Sequence, residues 1–113
     1  METIGVGIDI VDIGRIRSAR YLARAAEFFF LPAELADMRA SRDQAQFMAS
    51  RLALKEAIIK AMPERLWYHD MCLQKEGEKI VVQLQRPLEH QYRILVSVAH
   101  ELSYAVGYAT VCR

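Results

Sequence analysis

One long amphipathic segment constrains the fold of this chain more than any other part of its sequence. Helical periodicity extends over residues 42–62, the longest such run, and Pro63 ends it. Ser41 and Gln44 have the spacing of a capping box at its start. A helix of this kind packs its apolar stripe against the core of the domain. That stripe consists of Phe47, Met48, Leu52, Leu54, Ile58, Ile59 and Met62.

The charged residues of this predicted helix are distributed in an unusual way. Arg51 and Lys55 point into the apolar stripe, whereas Glu56 and Lys60 lie on the far side. Two cations in an apolar stripe must either extend to solvent or meet anions. Cations on the inner face with a carboxylate beside them suit a polyanionic phosphate ligand. Glu56 and Lys60 also have the i,i+4 spacing of a solvated ion pair, and this alternative stays open.

Strand patterns lie on both sides of the long helix. Residues 4–10 alternate large and small side chains, which predicts a first strand. Its glycines, Gly5 and Gly7, lie inside the strand rather than in a turn after it, so they indicate close approach of another backbone instead of a dinucleotide loop. Further strands are predicted over residues 79–84, 92–99 and 104–111.

The order of these segments predicts an α+β fold. Sequential hairpin strands favour an antiparallel sheet. We expect one face of this sheet to be covered by the long helix and by a shorter N-terminal helix, with residues 1–113 forming a single domain. Because a domain of this size buries only a small core, association with further copies would not be surprising.

The predicted N-terminal helix, residues 12–30, has a basic face. At about 100° per residue, Arg17, Arg20 and Arg24 fall together opposite the apolar positions. Arg15 instead points among the apolar positions. The basic face suits an acidic partner, and a solvated surface is the alternative. Pro32 interrupts the pattern and begins a second short helix.

Composition excludes several classes of function. A net charge of +1 gives no global basic field, so nucleic acid is not expected as a partner. No run of about eighteen apolar residues is present, and we expect no membrane-spanning segment. The first residues do not resemble a signal peptide. Cys72 and Cys112 lack metal-site spacing, which favours free thiols in a reducing compartment, and the predicted location is cytoplasmic.

Two residues outside the long helix could carry chemistry. Asp9 ends an apolar strand, where a carboxylate has to be paired, hydrogen-bonded or coordinated to a metal. It is therefore either a magnesium ligand or the cap of the following helix. His100 lies in a predicted hairpin loop, residues 100–103, and is either incidental or functional.

Three sequence motifs, taken together, resemble the holo-acyl-carrier-protein synthase family of 4'-phosphopantetheinyl transferases. The segment GIDIVDIGRI, residues 7–16, resembles the opening motif of that family. FMASRLALKEAIIKA, residues 47–61, resembles the second motif, and VSVAHELSYA, residues 96–105, the C-terminal one. FLPAEL, residues 30–35, is similar to the stretch between the first two. These motifs occur in the family's order and span most of the chain.

The resemblance implies an activity and a set of site residues. The family transfers 4'-phosphopantetheine from coenzyme A to a serine of an apo-acyl-carrier protein and releases adenosine 3',5'-bisphosphate. Asp9 and Glu56 match the Mg²⁺ ligands, and Lys60 matches the residue that neutralises charge on the leaving group. Coenzyme A would also contact Arg51, Lys55 and His100. Carrier-protein docking is implied for Arg15, and we extend it to Arg17, Arg20 and Arg24. A homotrimer with active sites between subunits is implied as well.

The chain departs from the family pattern at three places. Ala99 stands where a hydroxyl residue is usual, residues 61–63 replace the usual Ala-Leu-Gly, and residues 75–79 lack the usual Gly-x-Pro turn. Two other functions stay open beside the transferase. One is a non-catalytic module that binds carrier protein, and the other is a magnesium-dependent hydrolase of the coenzyme A pyrophosphate.

Overall fold

Four helices and five strands make up the chain, which a computed structural model describes over residues 1–113. A short 3-10 turn, Tyr68–Asp70, precedes the second strand. The α+β class predicted from the sequence is confirmed. In chain order the elements are β1 (Thr3–Asp12), α1 (Ile13–Arg17), α2 (Leu22–Phe29), α3 (Pro32–Ala40), α4 (Gln44–Ala61), β2 (Met71–Glu76), β3 (Lys79–Leu84), β4 (Arg93–His100) and β5 (Tyr104–Cys112).

The strands form two antiparallel sheets rather than the single sheet expected. The larger sheet has the order β1-β5-β4, and β2 pairs only with β3. The sequence did not predict β2, because none of its six residues is β-branched or aromatic. Pairing with β3 around Gly77, which has a positive φ of 66°, stabilises this strand instead.

The long helix α4 packs directly on the backbone of β1 and β5. A Cβ atom built on Gly5 or Gly7 would lie 1.9 Å from a carbonyl oxygen of α4, so only glycine fits at these positions. The close approach predicted from the strand glycines is therefore confirmed. The three strand glycines and the alanines that they meet are Gly5 with Ala61, Gly7 with Ala57, and Gly107 with Ala53.

The N-terminal helical region is two helices instead of the one predicted. Ser18 ends α1 with its backbone N–H bonded to the Gly14 carbonyl, and α2 begins at Leu22. The two helices serve different parts of the core. Ile13 of α1 packs in the cluster of Ala45, Ala49 and Ala105, whereas Ala26 of α2 packs in the cluster of Phe30, Met38 and Met48.

The face of the larger sheet turned away from α4 carries exposed apolar side chains. Val6, Ile8 and Ile10 of β1 are each about 60% exposed. We call this surface the outer sheet face; it comprises Val6, Ile8, Ile10, Leu95, Tyr104 and Tyr108. None of the four helices combines the length and the hydropathy needed to cross a membrane.

Candidate active site

Asp9 lies on the face of β1 that packs against α4. It is in phase with Gly5 and Gly7, because alternate residues of a strand share a face. The Lys60 ammonium of α4 donates to Asp9 Oδ1 and to the Ile8 carbonyl oxygen, at 2.9 Å each. The side chain of Asp9 is 21% exposed and that of Lys60 52%. The structure thus brings together two of the predicted site residues from separate elements.

Glu56 has a different partner from the one that its spacing suggests. Its carboxylate accepts a hydrogen bond from the Tyr68 hydroxyl, while Lys60 bonds to Asp9. Burial raises the pKa of Tyr68 to about 12, together with the hydrogen bond to Glu56 and the negative charges of Glu56 and Asp9. The hydroxyl therefore remains a donor at neutral pH. Glu56 and Lys60 are one helical turn apart on α4 and Lys60 bonds to Asp9, so the two carboxylates share one locality.

The donor set of this locality suits a hard divalent cation. Asp9 and Glu56 offer carboxylate oxygens, which Mg²⁺ prefers. No third histidine, cysteine or carboxylate joins them in a cluster. Mg²⁺ is commonly held by one or two carboxylates together with water and substrate phosphates. Two carboxylates therefore fit this cation without a full protein cage.

Lys55 does not lie where a ligand could reach it, so the structure gives no support to the prediction that it binds coenzyme A. Its side chain is fully buried, and its ammonium donates at 2.8 Å to Glu34 Oε1 and to the carbonyls of Phe29 and Tyr68. These three bonds use all its N–H groups. Burial lowers the pKa of Lys55, and the bond to Glu34 opposes this effect. Lys55 therefore joins α2, α3 and α4 internally.

Glu34 is the buried anion that sequence reasoning missed. Its Oε1 accepts from the Leu31 backbone N–H at 2.8 Å, and its Oε2 accepts from the Leu73 N–H at 2.9 Å. The local signal was present, because Pro32 at the first position of α3 followed by an acidic residue at the third is typical of a capped helix start. That signal gives the cap but does not reveal Lys55 as the second partner.

Arg51 and His100 line one cleft of about 230 Å³. Arg51 is buried, donates from Nη1 to the Leu73 carbonyl at 2.8 Å and stacks on the Phe47 ring at 4.5 Å. His100 ends β4 rather than lying in the hairpin loop. The cleft is lined by Ser41, Gln46, Phe47, Ser50, Arg51, Lys75, Ile80, Val98 and His100.

Two residues of this cleft were not predicted from the sequence. Lys75, at the end of β2, adds an ammonium beside Arg51. Ser50 has a buried hydroxyl without any hydrogen-bond partner in the protein. Buried polar groups are almost always paired, and Ser50 belongs to the residues that line the cleft, so its unpaired hydroxyl is a candidate partner for a polar ligand. Neither residue has a sequence signal, because each depends on how β2 and β4 pack on α4.

The predicted docking arginines do not form one helical face. Arg17 belongs to α1, Arg20 to the connection and Arg24 to α2. Arg17 makes a two-pronged pair with Asp43, at 3.0 and 2.9 Å, and this contact lowers the pKa of Asp43. Asp43 also caps α4 by accepting from the Gln46 N–H, so the cap is Asp43 rather than the predicted Ser41. Arg15, Arg20 and Arg24 remain exposed.

Comparison with known proteins identifies the family of this chain. The sequence pattern of the family described as "ACPS: 4'-phosphopantetheinyl transferase superfamily" matches residues 5–109. The chain is 34% identical over 115 residues to a holo-[acyl-carrier-protein] synthase of Chlorobaculum parvum, covering 94% of this chain and 96% of that protein. It is 30% identical over 105 residues to the synthase of Mycoplasma mycoides, covering 92% and 90%.

Solved structures show the same fold. The holo-(acyl-carrier-protein) synthase of Bacillus anthracis, in complex with CoA (3',5'-ADP), superposes with a TM-score of 0.84 at 21% identity and covers 98% of this chain and 97% of its own. The Helicobacter pylori synthase, in complex with coenzyme A, gives 0.77 at 24% identity and covers 95% and 99%. The match of the family pattern to residues 5–109 and the 34% identity to the Chlorobaculum parvum synthase show that the chain belongs to the 4'-phosphopantetheinyl transferase superfamily.

Proposed function

We propose that this chain transfers the 4'-phosphopantetheine group of coenzyme A to a serine of an apo-acyl-carrier protein and releases adenosine 3',5'-bisphosphate. The observation that carries the proposal is the meeting of Asp9 with Lys60 and of Glu56 with Tyr68, on the helix that also lines a separate cationic cleft. Arg51 of the cleft lies five residues before Glu56 on α4, about 8 Å along the helix axis and about 140° around it. The cleft and the two carboxylates therefore face different sides of the helix, and one coenzyme A molecule would meet both where two copies of the chain adjoin. The relatives named holo-[acyl-carrier-protein] synthase support the same activity.

Asp9 and Glu56 are the residues that would hold Mg²⁺. When bound, the ion would neutralise the pyrophosphate of coenzyme A. Phosphoryl transfer depends mainly on positioning and charge neutralisation. The serine oxygen of the carrier forms the new bond to phosphorus as the phosphoanhydride bond breaks, and the leaving phosphate takes the electron pair. Lys60, half exposed beside Asp9, stabilises that leaving charge, and Glu56 accepts the serine proton through a water.

The cleft would hold the nucleotide end of coenzyme A. Arg51, Lys75 and His100 supply positive or hydrogen-bonding groups for its phosphates. The Ser50 hydroxyl supplies a donor that has no protein partner.

The carrier protein would dock on the exposed arginines of the N-terminal helices. Arg15, Arg20 and Arg24 are free for an acidic helix, whereas Arg17 is engaged with Asp43. Complementary charges at the rim of an interface mostly set the rate of encounter and its salt dependence. The outer sheet face would meet further copies of this chain in a homotrimer, because exposed apolar side chains in such number favour burial.

The test is the mass of an apo-acyl-carrier protein after incubation with coenzyme A and Mg²⁺. We expect one phosphopantetheine to be added by the wild-type chain and almost none by Asp9→Asn or Glu56→Gln, with both variants folded. The double variant should be little worse than either single one, because the two residues act as a unit. Cleavage of coenzyme A without any carrier would instead indicate the hydrolase. Unchanged mass with the wild-type chain, over several carriers, would support the non-catalytic module.

A further inference from the structure

Tyr68 contacts α4 at both of its polar ends. Its hydroxyl donates to Glu56, and its backbone carbonyl accepts from the Lys55 ammonium at 2.8 Å. Lys55 and Glu56 are consecutive, so their side chains leave the helix about 100° apart. Tyr68 therefore bonds to two sides of the same helix: its carbonyl to the buried Lys55, and its hydroxyl to Glu56 at the site. The buried end is fixed, because Lys55 also bonds to the buried Glu34.

The ring of Tyr68 is held by aromatic neighbours. Phe29 packs edge-on at 4.8 Å between ring centroids, and Trp67 lies at the same separation. Phe28 closes a third side at 5.8 Å. Aromatic pairs at these separations stabilise one another and restrict rotation of the ring. The hydroxyl thus reaches Glu56 from a rigid support.

Glu56 has no other support of this kind. The Tyr68 hydroxyl donates the one protein hydrogen bond that its carboxylate accepts, and Lys60 bonds to Asp9 instead of to Glu56. A glutamate side chain has three rotatable bonds, so without the hydroxyl its carboxylate would sample several positions. The bond from Tyr68 is made to Oε1, which leaves Oε2 free for a cation.

We infer that Tyr68 is a positioning residue: its hydroxyl, anchored through Lys55 and the aromatic neighbours, holds the Glu56 carboxylate in place for a divalent cation. This inference rests on the proposed function, in which Glu56 binds Mg²⁺. Hydrogen-bond partners of metal-ligating carboxylates tune affinity in this way, and their loss typically weakens binding about 10- to 100-fold. In this role Tyr68 acts through Glu56 rather than by contact with substrate or cation.

The direct test is Mg²⁺ titration by calorimetry, with coenzyme A present, of Tyr68→Phe against a matched control. Tyr92→Phe is that control, since the Tyr92 hydroxyl makes the same contact with Glu64, which belongs to neither the carboxylate pair nor the cleft. We expect Tyr68→Phe to bind Mg²⁺ roughly tenfold more weakly or worse. Tyr92→Phe should bind as the wild-type chain does.

Kinetics give a second measurement, which would not change if the role of Tyr68 were purely structural. The Mg²⁺ concentration for half-maximal transfer should rise in Tyr68→Phe by about the same factor as the dissociation constant. At saturating Mg²⁺ the rate should return close to the wild-type value, with the KM for coenzyme A unchanged. Thermal unfolding without Mg²⁺ should show similar small changes for Tyr68→Phe and Tyr92→Phe.

The outcomes separate this inference from the proposed function. If Glu56→Gln abolishes Mg²⁺ binding while Tyr68→Phe binds normally, the role of Tyr68 is overturned and the proposed function stands. If Tyr68→Phe lowers the melting temperature far more than Tyr92→Phe without changing Mg²⁺ affinity, the contact is only structural and the inference is again overturned. If Glu56→Gln binds Mg²⁺ as the wild-type chain does, both assignments are overturned.

Discussion

The ion pair between Lys60 and Asp9 is weak enough to be given up when a ligand binds. Lys60 is about half exposed, and pairs of this kind contribute about 1 kcal/mol or less. The Lys55–Glu34 pair is the opposite case, because it is fully buried and removal of one partner would cost roughly 3–5 kcal/mol. Two lysines of the same helix therefore have different tasks. Lys55 fixes the structure, whereas Lys60, half exposed, would be available for the phosphate of the proposed substrate.

Ser50 allows a test at the level of one oxygen atom. A buried hydroxyl without a partner costs roughly 1–3 kcal/mol, so Ser50→Ala should raise the melting temperature of the free protein. The same change should weaken binding of adenosine 3',5'-bisphosphate about fivefold, the effect of one lost hydrogen bond. Thermal unfolding and calorimetry on one sample measure both effects.

Ser103→Ala, in the exposed β4–β5 turn, is the matched control and should change neither quantity. A Ser50→Ala variant that is less stable and binds the nucleotide normally would contradict the assignment of Ser50 to the cleft.

Side-chain roles in this chain were only partly accessible from sequence. Periodicity correctly places Arg51 and Lys55 on the buried side of α4. It cannot distinguish an anion supplied by a ligand from one supplied by the chain, and Glu34 lies 21 residues before Lys55. The same limit applies to Lys60, whose partner Asp9 is 51 residues away rather than four. Local spacing predicts the direction in which a side chain points, but tertiary packing decides which residue it pairs with.

At the scale of elements, the contact between the strand glycines and α4 sets the position of Asp9. We expect Gly7→Ala to lower the melting temperature by roughly 5–10 °C, because its Cβ would overlap the Ala57 carbonyl and force β1 away from α4. Transfer should fall further than stability alone explains, since Asp9 is carried on the displaced strand. Thermal unfolding and the carrier-mass assay measure the two effects.

Gly14→Ala is the control for this prediction. Gly14 lies in α1, and the nearest atom to a new Cβ is an Asp12 side-chain oxygen at 3.1 Å. Alanine is favoured over glycine in a helix by about 1 kcal/mol, so this variant should keep its stability. Equal melting temperatures for the two variants would show that the glycine contact does not set the spacing.

Elements were predicted from sequence where the pattern is long and were missed where it is short. The 18-residue helix α4 and strands β1, β3, β4 and β5 match their predicted segments to within a few residues. The break between α1 and α2 was missed because Ser18 and the residues after it do not interrupt the apolar periodicity. Strand glycines predicted a close backbone contact, but only the structure identifies the partner as the alanines of α4.

At the scale of the whole molecule, few residues are buried within one chain. Only 26 of the 113 residues are buried, while the outer sheet face stays exposed. A single chain therefore leaves apolar surface that further copies would cover. Along β1, Asp9 alternates with Val6, Ile8 and Ile10, the three residues of this strand that belong to the outer sheet face. Association through that face would therefore occur on the side of β1 opposite to Asp9.

Light scattering tests this expectation. We predict about three times the 13.0 kDa chain mass for the wild-type protein and a smaller species for Ile8→Lys, because a charge on the outer sheet face resists burial. Glu78→Lys, on the exposed β2–β3 turn, should leave the mass unchanged. A wild-type monomer that still modifies the carrier would contradict the trimer.

The direct contact between their backbones also fixes the distance between α4 and β1. Their separation is set by Cα and carbonyl atoms rather than by the size of side chains, so volume-conserving substitutions elsewhere in the core should leave the gap across which Asp9 meets Lys60 unchanged. The geometry of the proposed site would therefore be preserved while the rest of the sequence changes. The Bacillus anthracis synthase has the same fold, with a TM-score of 0.84, at only 21% sequence identity, as such a fixed distance would allow.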